Sequence, residues 1–385
     1  MRVRDLAGQS IATVGLGDVS FARSTKRGRD AADVMRRMHE ALDKQLDVID
    51  VAPEDDAERA AADAMRAMRA RDHAVIATRI PELAGHTFLE RLPIRYVRDR
   101  VEAVLRATKL EVLPLVQLPL RVAWRDSRAW AEFVGSCALL VREGKVLRWG
   151  ARLADPEDVP LVDEAWLASI AIEYAMCARD LAPILAAATA PVGEPPIDPA
   201  GGEGLAINDP MAAMAALPPP PGQQPSLLLA VADLLGTSAP EPVKPRASVH
   251  RPVVFACRPL QGGALAGTLG PGGSLAPLDD RRALSAKQLE EIAVGVARLA
   301  SRVKQPPPAA TSCEAARSIV ETTPRPPNVV VNTIAELALR YVIDRGCVAL
   351  PRVHQRADLD ELVACGDAAP LPEALLAKVD EILAY

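Results

Sequence analysis

The sequence predicts an α/β fold, a parallel sheet covered by helices. Two observations carry that expectation. Short β-rich runs alternate with helical patterns four times in succession before about Ala186, and the same alternation resumes at Val253. Consecutive βα repeats bring strands together in parallel with the helices packed across them. A third observation bounds the architecture: 385 residues suffice for one large domain or two ordinary ones. An eight-fold βα barrel of typically ~250 residues with insertions and a doubly wound sheet both satisfy this rhythm, and periodicity does not separate them.

The elements follow in order. Ala12 to Ser20 reads as a strand and turn, and Ala31 to Lys44 as a helix, with Met35, Met38, Ala41 and Leu42 at helical spacing. Leu46 to Asp50 is a strand and Ala57 to Ala70 a helix rich in Ala, Met and Arg. Ala74 to Thr78 is a strand, Val97 to Ala107 a helix, Val112 to Leu118 a strand and Arg128 to Glu143 a helix; Val146 begins the next strand. Near Ala187 the rhythm breaks. Pro191 to Pro245 carries Gly201-Gly202 and the run Pro218 to Pro221, which are loop signals around one short helix pattern, Ser226 to Leu235. Val253 to Cys257 restores a strand. Beyond a second Pro-rich loop at Gln305 come a helix at Thr333 to Asp344, a strand at Val348 to Leu350, and helices at Leu359 to Cys365 and Pro372 to Ala384. The expectation is one domain over 1–385, interrupted by a Pro/Gly/Ala-rich insertion at 187–249.

Composition narrows the function. Hydrophobic residues are 49% and charged residues 25%, which suits a folded chain. The net charge of -5 gives no electrostatic footprint for nucleic acid or an anionic membrane, so neither is an expected partner. Aromatics are only 3% while prolines number 34, which implies a core of Ala, Val and Leu with Pro-rich segments outside it. The six Cys stand singly, without a CxxC pair; that argues for reduced thiols and against a disulfide framework or a zinc site. The opening residues lack the apolar stretch of a secretory signal, and Leu227 to Leu235, broken by Asp233, is the nearest approach to a membrane span. A cytoplasmic location is the default expectation.

Particular residues then choose between the architectures. Gly15-Leu16-Gly17, the strand end Leu46 to Ala52, Arg71 to Arg79, Val101 to Arg106, Leu115 to Leu118, Arg142 to Gly150, the loop Pro259 to Gly267 and the late helix Ile334 to Val342 follow one another in a distinctive order and spacing. In these segments the chain resembles the aldo-keto reductase superfamily over nearly its whole length. The resemblance implies a (β/α)8 TIM barrel of aldo-keto reductase type, carrying the Pro-rich insertion.

It also implies where chemistry would sit, at the C-terminal ends of the strands. The family moves a hydride from NADPH to a carbonyl while a Tyr donates the proton, a Lys lowers that Tyr's pKa, an Asp holds the Lys and a His orients the carbonyl. A phenol with pKa near ~10 needs such a cationic neighbour to act at neutral pH. Matched residue by residue, Asp50 stands at the Asp position, Asp55 at the Tyr position, Arg79 at the Lys position and Pro119 at the His position. None of the four Tyr (Tyr96, Tyr174, Tyr341, Tyr385) lies near residues 50 to 60. Arg79 supplies charge but not the proton lability of a Lys.

The positions that the resemblance assigns to the nicotinamide amide clamp are Arg152, Leu153, Ala171 and Ala175. At the adenine-phosphate end, Arg352, His354 and Arg356 remain able to meet phosphate. Pro259, Leu260, Gly262 and Gly263 keep the shape of a pyrophosphate loop, or merely a backbone turn. The expected cofactor complement is therefore none, with NADP(H) as the alternative.

The remaining polar groups carry two readings each. Asp50, Glu54, Asp55, Asp56 and Arg79 are expected at neighbouring strand ends, as an acid-base set or cation site, or as an Asp50–Arg79 salt bridge beside a capping box of Asp55 and Glu58. His86, in the loop after Arg79, is the substitute catalyst to test; His39, His73 and His250 fall elsewhere. Trp124 and Trp130 are packing residues or pocket walls. Three functions follow. The first is a pseudoenzyme without carbonyl reductase activity that binds a small-molecule or peptide ligand or a protein partner, as an accessory protein of a bacterial biosynthetic pathway. The second is an NADP(H)-dependent oxidoreductase with non-standard catalytic residues, and the third a non-redox enzyme using Asp50 and Asp55.

Overall fold

The computed structural model describes residues 1–20, 31–70, 73–82, 92–125, 128–190, 251–266, 331, 333–353 and 356–383, with scattered positions between 285 and 294. The expected helix at Ser226 to Leu235 and nearly all of the insertion lie outside these residues.

Eight parallel strands form one sheet in sequential order: β3 (Leu16–Val19), β4 (Val48–Val51), β5 (Val75–Arg79), β6 (Leu115–Pro119), β7 (Trp149–Arg152), β8 (Leu167–Glu173), β9 (Val253–Cys257) and β10 (Val348–Leu350). The first and last strands meet: Val14 bridges Ala349, Gly15 N donates to Ala349 O at 3.0 Å, and Gly17 N donates to Pro351 O at 2.8 Å. The sheet is therefore a closed barrel, and the doubly wound alternative is excluded. Closure depends on glycine. A Cβ on Gly17 would stand 1.9 Å from Leu350 O, so no side chain fits where the seam closes.

A hairpin that the sequence reading did not anticipate caps the N-terminal end, formed by β1 (Val3–Leu6) and β2 (Gln9–Ala12). Its turn, Ala7 at φ 47 and Gly8 at φ 87, has both central residues left-handed, the pattern of the tight turns that match strand twist. The hairpin lowers Leu6 and Ile11 into the barrel, where they pack with Val48, Val75, Leu115, Val253, Phe255 and Val348. Successive strand residues face opposite sides. One parity of each strand builds this plugged interior, and the other packs outward under the helices.

That outer layer comprises α1 (Ala31–Asp43), α2 (Asp55–Ala67), α3 (Ile94–Thr108), α4 (Arg128–Arg142), α5 (Ala182–Thr189), α6 (Ile334–Asp344), α7 (Arg356–Asp367) and α8 (Glu373–Leu383). The Ala-rich face of α2 (Ala60, Ala61, Ala64) lets it lie close to the strands. Glu58, expected in a capping box with Asp55, pairs with a cation of the next helix. It is fully buried and accepts both oxygens' contacts, 2.7 Å each, from Arg100 on α3, while Glu54 occupies the N-cap without a side-chain cap bond. A buried carboxylate demands a cation more than a helix end demands a cap.

Candidate functional site

Alternation decides what stands at the C-terminal mouth. The inward parity that gives Val48, Val75 and Leu115 at the bottom gives Asp50, Arg79 and Pro119 at the top. The same parity brings Arg152 on β7, Glu173 and Cys257 to the rim, with Arg352 two residues past Leu350. Together with Asp18 and Arg258 these residues, apart from Pro119, line a cavity of about 210 Å3.

The expected Asp50–Arg79 contact is present and two-pronged. Arg79 Nε donates to Asp50 Oδ1 at 2.8 Å, and Nη2 pairs with Oδ2. Asp50 is 1% exposed and Arg79 13%. Arg79 Nη1 also reaches Asp18 Oδ1 at 3.1 Å, and Arg352 closes on the other oxygen of Asp18. Asp18 adopts φ 48, a conformation that Asp tolerates better than most residues. The conformation lets its backbone N–H donate to Asp50 Oδ2 at 3.1 Å while its carboxylate bridges the two arginines. Burial alone would lower the pKa of Arg79, but the charge and hydrogen bonds of Asp50, with Asp18 adding, carry it above the ordinary arginine range. Arg79 is a fixed cation.

Two other carboxylates of the expected cluster have partners away from this pair. Glu54 accepts from Ser20 Oγ at 2.7 Å, and the exposed Asp56 pairs with Arg59 one turn along α2. The side chain of Asp55 lies outside the described structure, as do His86, His250 and His354. Arg352, assigned by the resemblance to an adenine-phosphate end, pairs with Asp18 at the mouth. Arg356 is largely exposed, with Glu40 at 3.9 Å. In the Pro259–Leu260 turn, Arg258, Gln261, Gly262 and Gly263 all have positive φ. At Gly263 the positive φ by itself disfavours any side chain, and a Cβ there would meet no atom within 4 Å.

The opposite wall has a different balance. Arg258 Nη1 donates to Glu173 Oε1 at 3.3 Å across the β8–β9 rim. Arg152 Nη1 donates to Cys257 Sγ at 3.7 Å and has no carboxylate partner among the described residues. Burial foremost pushes the Cys257 thiol up, so the sulfur is neutral. The described tyrosines are engaged elsewhere. Tyr96 donates to Pro81 O at 3.0 Å, Tyr341 donates to Asp380 at 2.6 Å, and Tyr174 is buried in the outer core with its pKa driven up by burial. Trp130 stacks on Phe133 at 6.0 Å and meets Trp166 at 6.1 Å, and Trp124 is buried in the same core, so both tryptophans are packing residues.

Solved structures of a glycerol dehydrogenase and of aldo-keto reductases share this architecture. A glycerol dehydrogenase from Gluconobacter oxydans matches with a TM-score of 0.60 at 18% identity, over 100% of this chain and 94% of that one. The holo form of an aldo-keto reductase from Bacillus halodurans matches at 0.56 and 15%, over 99% and 96%. An aldo/keto reductase from Klebsiella pneumoniae, in complex with NADP and acetate, matches at 0.51 and 20%, over 99% and 94%. This barrel has the aldo-keto reductase fold. No protein-family profile and no curated protein matches the sequence.

Within that fold, sequence reasoning missed Asp18, Glu173 and Arg258, and it read Arg152 only as the loss of an amide clamp. The parity of the strand ends was the available signal. Arg79 and Arg352 each lie two residues from an inward apolar neighbour (Ala77, Leu350), and Arg152 lies two from Gly150 in the inward row, which places three guanidinium groups around one opening.

Proposed function

We propose that this chain is a ligand-binding barrel of aldo-keto reductase fold that performs no hydride transfer. The observation supporting this reading is the two-pronged Arg79–Asp50 contact, reinforced by Asp18. At the strand end where the reaction needs a cation beside a phenol, the cation is saturated by two carboxylates. Among the described residues lining the mouth there is no phenol, imidazole or ammonium group. Both oxygens of Asp50 are engaged as well, which argues against Asp50 as a general base in a non-redox enzyme.

NADP(H), which the fold brings to mind and which the Klebsiella protein carries, fits poorly at the nicotinamide end. Leu153 there is buried and apolar, and Arg152 presents a charge where an uncharged amide would need a donor and an acceptor. A partner role as an accessory protein belongs to the same reading. The second reading, an NADP(H)-dependent oxidoreductase with unusual catalysts, draws on the NADP-bound neighbour and on the retained Gly262–Gly263 turn. A fluorescence titration with NADPH separates the two. The binding-barrel reading expects no saturation at micromolar cofactor, and micromolar saturation would overturn it in favour of the second.

A further inference from the structure

The mouth holds more cationic than anionic side chains: Arg79, Arg152, Arg258 and Arg352 against Asp18, Asp50 and Glu173. The excess is localised. Arg79 and Arg352 converge on Asp18, Arg79 also grips Asp50, and Arg258 leans on a half-exposed Glu173. Arg152 alone among the four lacks a carboxylate within the described residues, its one hydrogen-bond contact being the neutral thiol of Cys257. A guanidinium offers five N–H donors in a planar fork suited to two coplanar oxygens. A partly buried one without a counter-charge is costly unless an anion completes it.

One rung below Arg152 the strands leave a second signal. Gln117, Gly150 and Ser169 share a row across β6, β7 and β8. A Cβ on Gly150 would meet Ser169 Oγ at 2.3 Å and Gln117 Cγ at 3.4 Å, so both side chains crowd over the bare glycine. Gln117 and Ser169 are fully buried, yet both polar ends of the Gln117 amide and the Ser169 hydroxyl have no hydrogen-bond partner among the described residues. Buried polar groups are rarely left so unless water or a ligand reaches them.

We infer that the mouth of the barrel is a receptor for a small oxyanion, a carboxylate or phosphate group of a metabolite-sized molecule, with Arg152 as its principal ligand and Arg258 beside it. The inference deepens the binding-barrel reading and rests on it. The cavity of about 210 Å3 lies below the roughly 300–1,000 Å3 of sites for drug-sized ligands, which favours a compact acid.

Isothermal titration of the full chain at fixed ionic strength, with malonate, inorganic phosphate and the neutral analogue malonamide, tests this. At least one anion is expected to saturate a single site and malonamide none; malonate against phosphate reports which oxyanion is preferred. Arg152→Gln should weaken binding by about tenfold or more, as loss of a charge-assisted pair does, with Arg152→Lys intermediate. Arg128→Gln, on the exposed start of α4, should leave it unchanged. Protection of Arg152 from phenylglyoxal by the same anion, mapped by mass spectrometry on the unmutated protein, keeps the test open should a variant misfold. Equal binding by Arg152→Gln, absence of that protection, or no preference for either anion over malonamide would overturn the assignment. NADPH saturation in a parallel titration, with the Arg152 dependence intact, would contradict only the cofactor-free reading.

Discussion

Arg79 on β5 grips Asp50 on β4 through two contacts, Nε to Oδ1 at 2.8 Å and Nη2 to Oδ2, across the mouth of the barrel. Asp50 pairs with Ala77 in the strand register, so Arg79 stands one inward position higher and reaches back over its neighbour strand. With Asp18 holding the third guanidinium nitrogen, the group is fixed in place and its charge is neutralised locally.

Such a pair is easier to replace as a unit than to break. Asp50→Asn leaves a buried guanidinium with less counter-charge and should lower unfolding stability by about 3 kcal/mol, read from the urea midpoint at unchanged slope. The double variant Asp50→Asn with Arg79→Met should recover part of that loss. Additive losses would show that the two residues do not act as a pair.

The barrel seam tolerates no side chain at Gly17. Gly17→Ala forces its Cβ against Leu350 O and should cost at least about 2 kcal/mol by overpacking. Gly135→Ala, where a Cβ meets nothing within 4 Å in the interior of helix α4, should be neutral or stabilising. Thermal unfolding of the two variants side by side checks the contrast.

Asp158 ties together the loops after β6 and β7. It is buried, and its Oδ1 accepts from Val122 N at 2.8 Å. Burial foremost raises its pKa, against the opposing Val122 N–H and Arg121. Because the native pKa lies above the unfolded value of ~3.9, the native state binds the proton more tightly. The stability that the neutral acid contributes is therefore complete below that pH and lost as pH rises through the native pKa. Asp158→Asn, which keeps the acceptor, should gain stability relative to the parent between acidic and neutral pH. A constant difference across that range, measured by urea unfolding, would remove the argument.

The thiols are predicted to be inert. Cys137, Cys257, Cys347 and Cys365 are buried, and burial raises all of their pKa values, while Cys177 is pushed up to about 12. Deprotonation, and with it reactivity, is therefore held above the pH range of a free thiol. In a Cys313→Ser background, native protein at neutral pH should show no rapidly labelled thiol with a disulfide reagent, and denatured protein should show five.

Much of the fold was legible because strand and helix periodicity are local properties. β9 and β10 fall where the runs at Val253 and Val348 placed them, and α4 and α6 begin within a residue of their expected starts. The hairpin at Val3–Ala12 was missed because its strands are four residues each and only one of them buries two side chains; the Ala7-Gly8 turn was its one clear mark. The site was half legible. Asp50 and Arg79 were found because a local motif surrounds each. Asp18, Glu173 and Arg258 join them only through barrel closure and an unusual backbone conformation, relationships between residues far apart in sequence. The pairing of Glu58 with Arg100 was not legible, because the spacing of Glu58 from Asp55 points to a local capping rule whereas its burial beside Arg100 is a tertiary fact.

The central claim is that a barrel whose mouth is held by arginine–carboxylate pairs does not transfer hydride. Its most direct test is NADPH oxidation at 340 nm by the purified full chain with a panel of activated aldehydes and ortho-quinones. The account predicts rates indistinguishable from the protein-free background with every carbonyl. Saturable, enzyme-dependent oxidation with any of them, abolished by Arg79→Met or Asp50→Asn, would contradict it.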